Sequence, residues 1–206
     1  MSRKPMSQSQ KLYFVLGLNA IMVTGLVIAG LVSHSLGLLA AGGDYIADSM
    51  SVVLGLIAIY VRDKKHGKSK ATTYVAGING LLLLAVTLVV MYEAVHRLQG
   101  QNPEVNGLPV LIVSGIAALV MFVSAVILKG DGDDKDIHMR SVLLDTVADA
   151  VSAVAVAIAG GIILVTHGWY WLDSAIALVI GAFIAVQAVK LLLEVIKDLR
   201  TRTTAR

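Results

Sequence analysis

Cysteine is absent from the chain, which excludes disulfides, thiolate metal ligands and cysteine nucleophiles. Charge is scarce. Asp, Glu, Lys and Arg together make up 15% of the sequence, against roughly 25% in soluble domains. The net charge of +3 is small, and the basic residues cluster in loops, a pattern that suits topology and lipid contact rather than nucleic acid. No cleavage site precedes the first apolar run, so that run is read as a retained span and not as a signal peptide. What the chain has instead is apolar residues, 57% of 206, with a mean hydropathy of +0.80. Soluble domains are about 45–50% apolar, so the balance points to a polytopic membrane protein.

At about 20 residues per span, the length allows six helices and little else. Six apolar runs are expected as helices over 12–32, 36–61, 71–98, 108–128, 138–166 and 169–196. The fold class is all-α, residues 1–206 form a single transmembrane domain, and no soluble C-terminal domain is expected. Ser33-His34-Ser35 and His167-Gly168 are tight turns, and 62–70 is a basic loop. Of the 17 Lys and Arg residues, 16 fall on one set of sides, leaving Arg97 on the other. The positive-inside rule then puts both termini in the cytoplasm, most simply at the plasma membrane. Trp169, Tyr170 and Trp171 fall at the outer interface, where aromatic belts form. Ala177, Gly181 and Ala185 recur at four-residue spacing and allow close helix packing.

Two aspartate pairs stand out inside the apolar runs, Asp44 with Asp48 in the second and Asp145 with Asp149 in the fifth. Spacing of i, i+4 places both carboxylates of a pair on one helix face, one turn apart. At 1.5 Å per residue, Asp48 lies roughly 17 Å from the outer end of its helix and Asp149 roughly 16 Å from the inner end of its own. A hydrocarbon core about 30 Å thick puts both near its middle. Each ionised aspartate there costs on the order of 2.5–3.5 kcal/mol on insertion scales, and adjacent carboxylates repel one another. A divalent cation bound by the oxygens neutralises them. Protons do so too, because desolvation and repulsion raise carboxylate pKa values. A site that takes either is the physical basis of metal–proton exchange. The bland alternative is that the aspartates bond to backbone or serine on neighbouring helices.

These segments resemble the cation diffusion facilitators. The resemblance rests on Leu38 through Asp44, Asp48-Ser49-Met50, Arg140 through Asp145, Asp149-Ala150-Val151-Ser152, the run from Asn79-Gly80 onward, and Trp171-Leu172-Asp173-Ser174. It covers essentially the whole chain. It implies efflux of divalent transition metals, zinc and cadmium first, in exchange for protons, by a homodimer that alternates between inward- and outward-facing states. By resemblance, Asp44, Asp48, Asp145 and Asp149 fall on the transport-site positions. Many zinc-handling members have histidine at the first position of one or both pairs, where Asp44 and Asp145 stand here. An all-oxygen set also admits manganese, iron and cobalt. No permanently bound cofactor is expected, since the metal is cargo. The family usually carries a cytosolic metal-binding domain after the sixth helix, and this chain ends about ten residues past Ile196.

Weaker signals surround this core. Asp63 and His66 are candidates for a secondary metal position, weighed against a solvated loop. Asp131, Asp133, Asp134 and Asp136 form an acidic loop that would concentrate cations or merely be a soluble turn. His138, seven residues before Asp145, is a candidate entry or proton relay, and Asn79 a candidate second-layer support of the site. Glu93, His96 and Asp173 are read as groups that cap or solvate helix ends. Two other functional classes compete with export. They are an intramembrane metal-dependent enzyme and a metal-sensing membrane protein without transport. No arginine lies near Asp44 or Asp48 to build a phosphotransferase motif.

Overall fold

A computed structural model describes residues 8–64, 70–100, 103–130 and 137–204. They form six helices, α1 (Gln8–Ser33), α2 (Leu36–Lys64), α3 (Lys70–Gln99), α4 (Gly107–Gly130), α5 (Ile137–Thr166) and α6 (Trp171–Thr204), and there is no strand among the described residues. Four stretches, in α3, α4, α5 and α6, are long and apolar enough to cross a bilayer. The described parts of α1 and α2 contribute shorter apolar stretches, Ala20–Ser33 and Leu36–Ala47.

Polarity is distributed for a lipid solvent. Large apolar side chains face outward all along the helices, with Ile78, Leu119, Val165 and Val179 between 64% and 81% exposed. Buried positions include Ser33, Ser114, Asn79, Thr87 and Ser174. Apolar surface on this scale, around a partly polar interior, is stable only where hydrocarbon is the solvent. The chain is therefore an integral membrane protein. Trp169 and Trp171 stand exposed at one end, with ring centroids 6.5 Å apart, as interfacial aromatics do.

Helices α1, α2, α4 and α5 close a four-membered ring, while α3 and α6 pair with each other and pack against α2. The tightest seam joins α4 to α5. A Cβ on Gly107 would meet the Gly160 carbonyl oxygen at 2.5 Å, and one on Gly160 would meet the Leu111 amide at 2.7 Å. Backbones approach here to a distance only glycine allows. α3 and α6 are also tied by polar contact, the Thr73 hydroxyl donating to Asp198 Oδ2 at 2.8 Å.

One end of the bundle carries the α1–α2 turn, the α3–α4 link and the α5–α6 turn, and is here called the turn end. His34 (φ 57°) closes the first hairpin in the left-handed region, and His167 (φ 46°) closes the last. Asn106 precedes α4, and its side-chain oxygen accepts the Leu108 amide at 3.3 Å, so Pro109 falls in the first turn of the helix, where its missing N–H costs little.

The sixth helix differs from the expected 169–196 at both ends. Trp169 has φ 53°, which no α-helix accommodates, so the helix starts at Trp171. It runs on to Thr204 although the apolar run ends near Ile196, because helical hydrogen bonding continues into polar sequence once the helix has left the bilayer. At 34 residues it is about 51 Å long, well beyond a 30 Å hydrocarbon core.

Candidate functional site

Within the ring, the side chains of Leu26 (α1), Asp44 and Tyr45 (α2), Ser114 (α4), and Asp149, Ser152 and Val156 (α5) line one small cavity. About 300 Å³ of space lies between their atoms, with room at the centre for one water-sized body. Asp149 is buried at 8% exposure and Asp44 is half-buried. Two helices of opposite direction thus bring one carboxylate each to a common space inside an apolar bundle. The rest of the lining is small or apolar, apart from Tyr45 and the serines. The Ser114 hydroxyl donates to the Val110 carbonyl of its own helix, so its oxygen keeps acceptor capacity toward the cavity.

The convergence follows from an antiparallel register. Near the turn end, a Cβ on Gly37 of α2 would lie 3.5 Å from the Val156 methyls of α5. Seven residues further along α2 is Asp44, and seven residues back along α5 is Asp149. Seven residues are close to two helical turns, so both chains return to the faces that met at Gly37 and Val156. Two carboxylates that line one small cavity inside an apolar bundle repel one another, and a cation or a proton taken up there relieves that repulsion.

The other expected site residues are distributed as follows. Asp48 and Asp145 belong to α2 and α5, but their side chains lie outside the described residues. The same holds for the side chains of Asp63 in α2 and His138 in α5. His66 and the acidic positions 131, 133, 134 and 136 lie outside the described residues altogether. Among the described residues, no three His, Asp or Glu side chains cluster closely enough to hold a metal. Asn79 is buried at 6% exposure in α3 and does not line the cavity.

The groups read as helix-end residues have definite partners. Arg97 Nε donates to Glu93 at 3.0 Å, and His96 stacks on Tyr92 with centroids 6.4 Å apart. Asp173 caps a helix, but the helix is α2 and not its own. Ser114 was not anticipated as a cavity residue. Its only signal is a hydroxyl in the first half of a mostly apolar run, 108–128, which also holds Ser124.

The fold and the site together define an integral membrane protein with acidic side chains turned into a six-helix bundle. The particular family follows from comparison. The cation efflux transmembrane domain matches residues 12–200, and the chain belongs to this family of transporters, the cation diffusion facilitators. It is 31% identical over 181 residues to the "Cadmium, cobalt and zinc/H(+)-K(+) antiporter" of Bacillus velezensis, covering 82% of this chain and 57% of that protein. It is 30% identical over 201 residues to the "Zinc transporter ZitB" of Yersinia pestis, covering 94% and 63%. It is 27% identical over 186 residues to the "Metal cation efflux system protein CzcD" of Cupriavidus metallidurans, covering 87% and 58%. The chain thus spans about three-fifths of the length of these relatives.

Proposed function

We propose that this chain exports divalent transition-metal cations from the cytoplasm in exchange for protons, with Asp44, Asp48, Asp145 and Asp149 as the transport site. The observation that carries this reading is the shared cavity of Asp44 and Asp149 at the centre of the α1, α2, α4, α5 ring. The register that joins Gly37 to Val156 and Asp44 to Asp149 reaches Asp48 and Asp145 after four more residues along each chain. A regular helix carries that next turn onto the same face. Four carboxylates around one ion supply a tetrahedral set of oxygens, with about 2.0–2.2 Å to zinc. The metal enters as the protons leave, and protons arriving from the other side displace it. That exchange makes a single site serve both directions of the cycle.

Zinc and cadmium are the first cargo, in line with the names of the relatives, followed by manganese, iron and cobalt from the oxygen-only ligands. The chain is a secondary transporter and not an enzyme. It works as a homodimer in the plasma membrane with both termini in the cytoplasm, the orientation the Lys and Arg distribution favours. In that orientation the turn end faces outward.

The test is flux in vesicles of purified protein loaded with a zinc-sensitive dye. Wild-type protein moves zinc, and the rate follows an imposed pH gradient. Asp149→Ala loses at least about 100-fold in rate while keeping its elution profile, since even residues one layer behind a metal ligand cost 10–100-fold. Full flux in Asp149→Ala would refute the site. Turnover of a lipid or peptide with no metal flux would favour an intramembrane enzyme.

A further inference from the structure

Asp173 stands at the start of α6 and is 1% exposed. Its carboxylate serves another helix. Oδ1 accepts the Ser35 hydroxyl at 2.5 Å and the Gly37 amide at 3.2 Å, and Oδ2 accepts the Leu36 amide at 2.6 Å. The Ser35 hydroxyl oxygen in turn accepts the Leu38 amide at 3.1 Å. Three amides at the start of α2 that have no partner within the helix are thereby satisfied, and a carboxylate meets the positive end of the α2 dipole. Two further bonds hold the same turn. Arg97 of α3 donates to the His34 carbonyl at 2.7 Å, and the Asn106 amide donates to the Ser33 carbonyl at 3.1 Å. α2 belongs to the ring, whereas α3 and α6 form the adjoining pair. At the turn end, then, the ring is fastened to the pair through the first turn of α2.

The fastening lies two turns from the cavity. Asp44 is seven residues beyond Gly37, about 10 Å along the axis. A slip of α2 by one residue rotates it by about 100°, enough to swing Asp44 away from Asp149. Three hydrogen bonds to one carboxylate forbid that slip. We propose that Asp173 is a positioning residue for transport, setting the rotation and depth of α2 so that its aspartates meet those of α5. Asp173 does not line the cavity, and its oxygens are committed to α2, so it acts through α2 and not as a metal ligand. The inference rests on the exporter reading.

The test is zinc affinity by calorimetry on purified full-length protein, alongside KM and maximal rate of flux and thermal stability of the same samples. Asp173→Asn puts an amide nitrogen where a carboxylate oxygen accepted an N–H. It is expected to weaken zinc binding and raise KM by about tenfold in the folded fraction, given what small misplacements cost. Gly37→Ala keeps every polar group, but its Cβ would press on Asp173 Oδ1 from 3.0 Å. A smaller shift in the same direction, about threefold, is expected, and this variant carries the test if Asp173→Asn does not fold. Adding Ser35→Asp to Asp173→Asn returns a capping carboxylate to α2 without the tie to α6. Stability should recover and affinity should not. Unchanged affinity in both single variants, or full recovery of affinity in the double variant, would overturn the proposal and leave Asp173 a simple cap. Wild-type protein that binds zinc without moving it would overturn the exporter reading alone, with Asp173 still judged by affinity. Wild-type protein that neither binds nor moves zinc would overturn both.

Discussion

Two buried aspartates, Asp173 and Asp149, stand in different surroundings. Asp173 is saturated by hydroxyl and amide donors at a helix start, so its charge is spent on structure. Asp149 shares a cavity with a second carboxylate, Asp44, an arrangement that invites a cation. The difference between the two aspartates is geometric and not compositional. At this scale the proposed oxygen-only ligand set should govern metal choice. Asp44→His introduces an imidazole, which binds borderline zinc in preference to harder manganese. The expected result is a shift in the zinc-to-manganese affinity ratio toward zinc by about tenfold, measured by metal competition on the purified protein. No change in the ratio would remove Asp44 from the set of ligands.

Among the elements, the α4–α5 seam is the least forgiving. Gly107 and Gly160 meet backbone atoms of the facing helix, which cannot move without separating the helices. Gly160→Ala should therefore destabilise the protein by about 1–3 kcal/mol, seen as a lower thermal midpoint in detergent. Gly181 of α6 makes a useful contrast. Its added Cβ would meet the side chain of Met91 at 2.7 Å, and methionine has rotamers to spare, so Gly181→Ala should cost less than Gly160→Ala by the same assay. Helix existence was legible in the sequence because a 20-residue apolar run has few alternatives in a membrane. The start of α6 was not, because the left-handed φ of Trp169 is a property of the turn's geometry and leaves no mark on local composition. The lesson of the glycines is similar. Small residues on α6 were visible as a four-residue repeat, but the seam that depends most on glycine joins α4 to α5.

For the molecule as a whole, the proposed exchange makes the proton gradient the driving force. Zinc efflux should slow when the external pH is raised above the internal pH, because fewer protons then arrive to displace the metal. A zinc-dye assay across imposed gradients reads this directly, and a rate insensitive to the gradient would count against antiport. Orientation is equally accessible, because the native chain has no cysteine to remove. Asn106→Cys in the α3–α4 link should react with an impermeant thiol reagent added outside intact cells, whereas Thr201→Cys near the end of α6 should react only after the membrane is opened. The opposite pattern would invert the topology.

The sequence by itself determined that this is a membrane-spanning helical protein, and it showed two four-spaced aspartate pairs in the second and fifth apolar runs, since both conclusions depend only on spacing and polarity along one helix. Only the tertiary structure decided that Asp44 and Asp149 line one cavity and that Asp173 caps α2 from the end of another helix. Register between helices is set by side-chain packing and by hydrogen bonds between residues more than a hundred positions apart, and no local spacing in the chain encodes it.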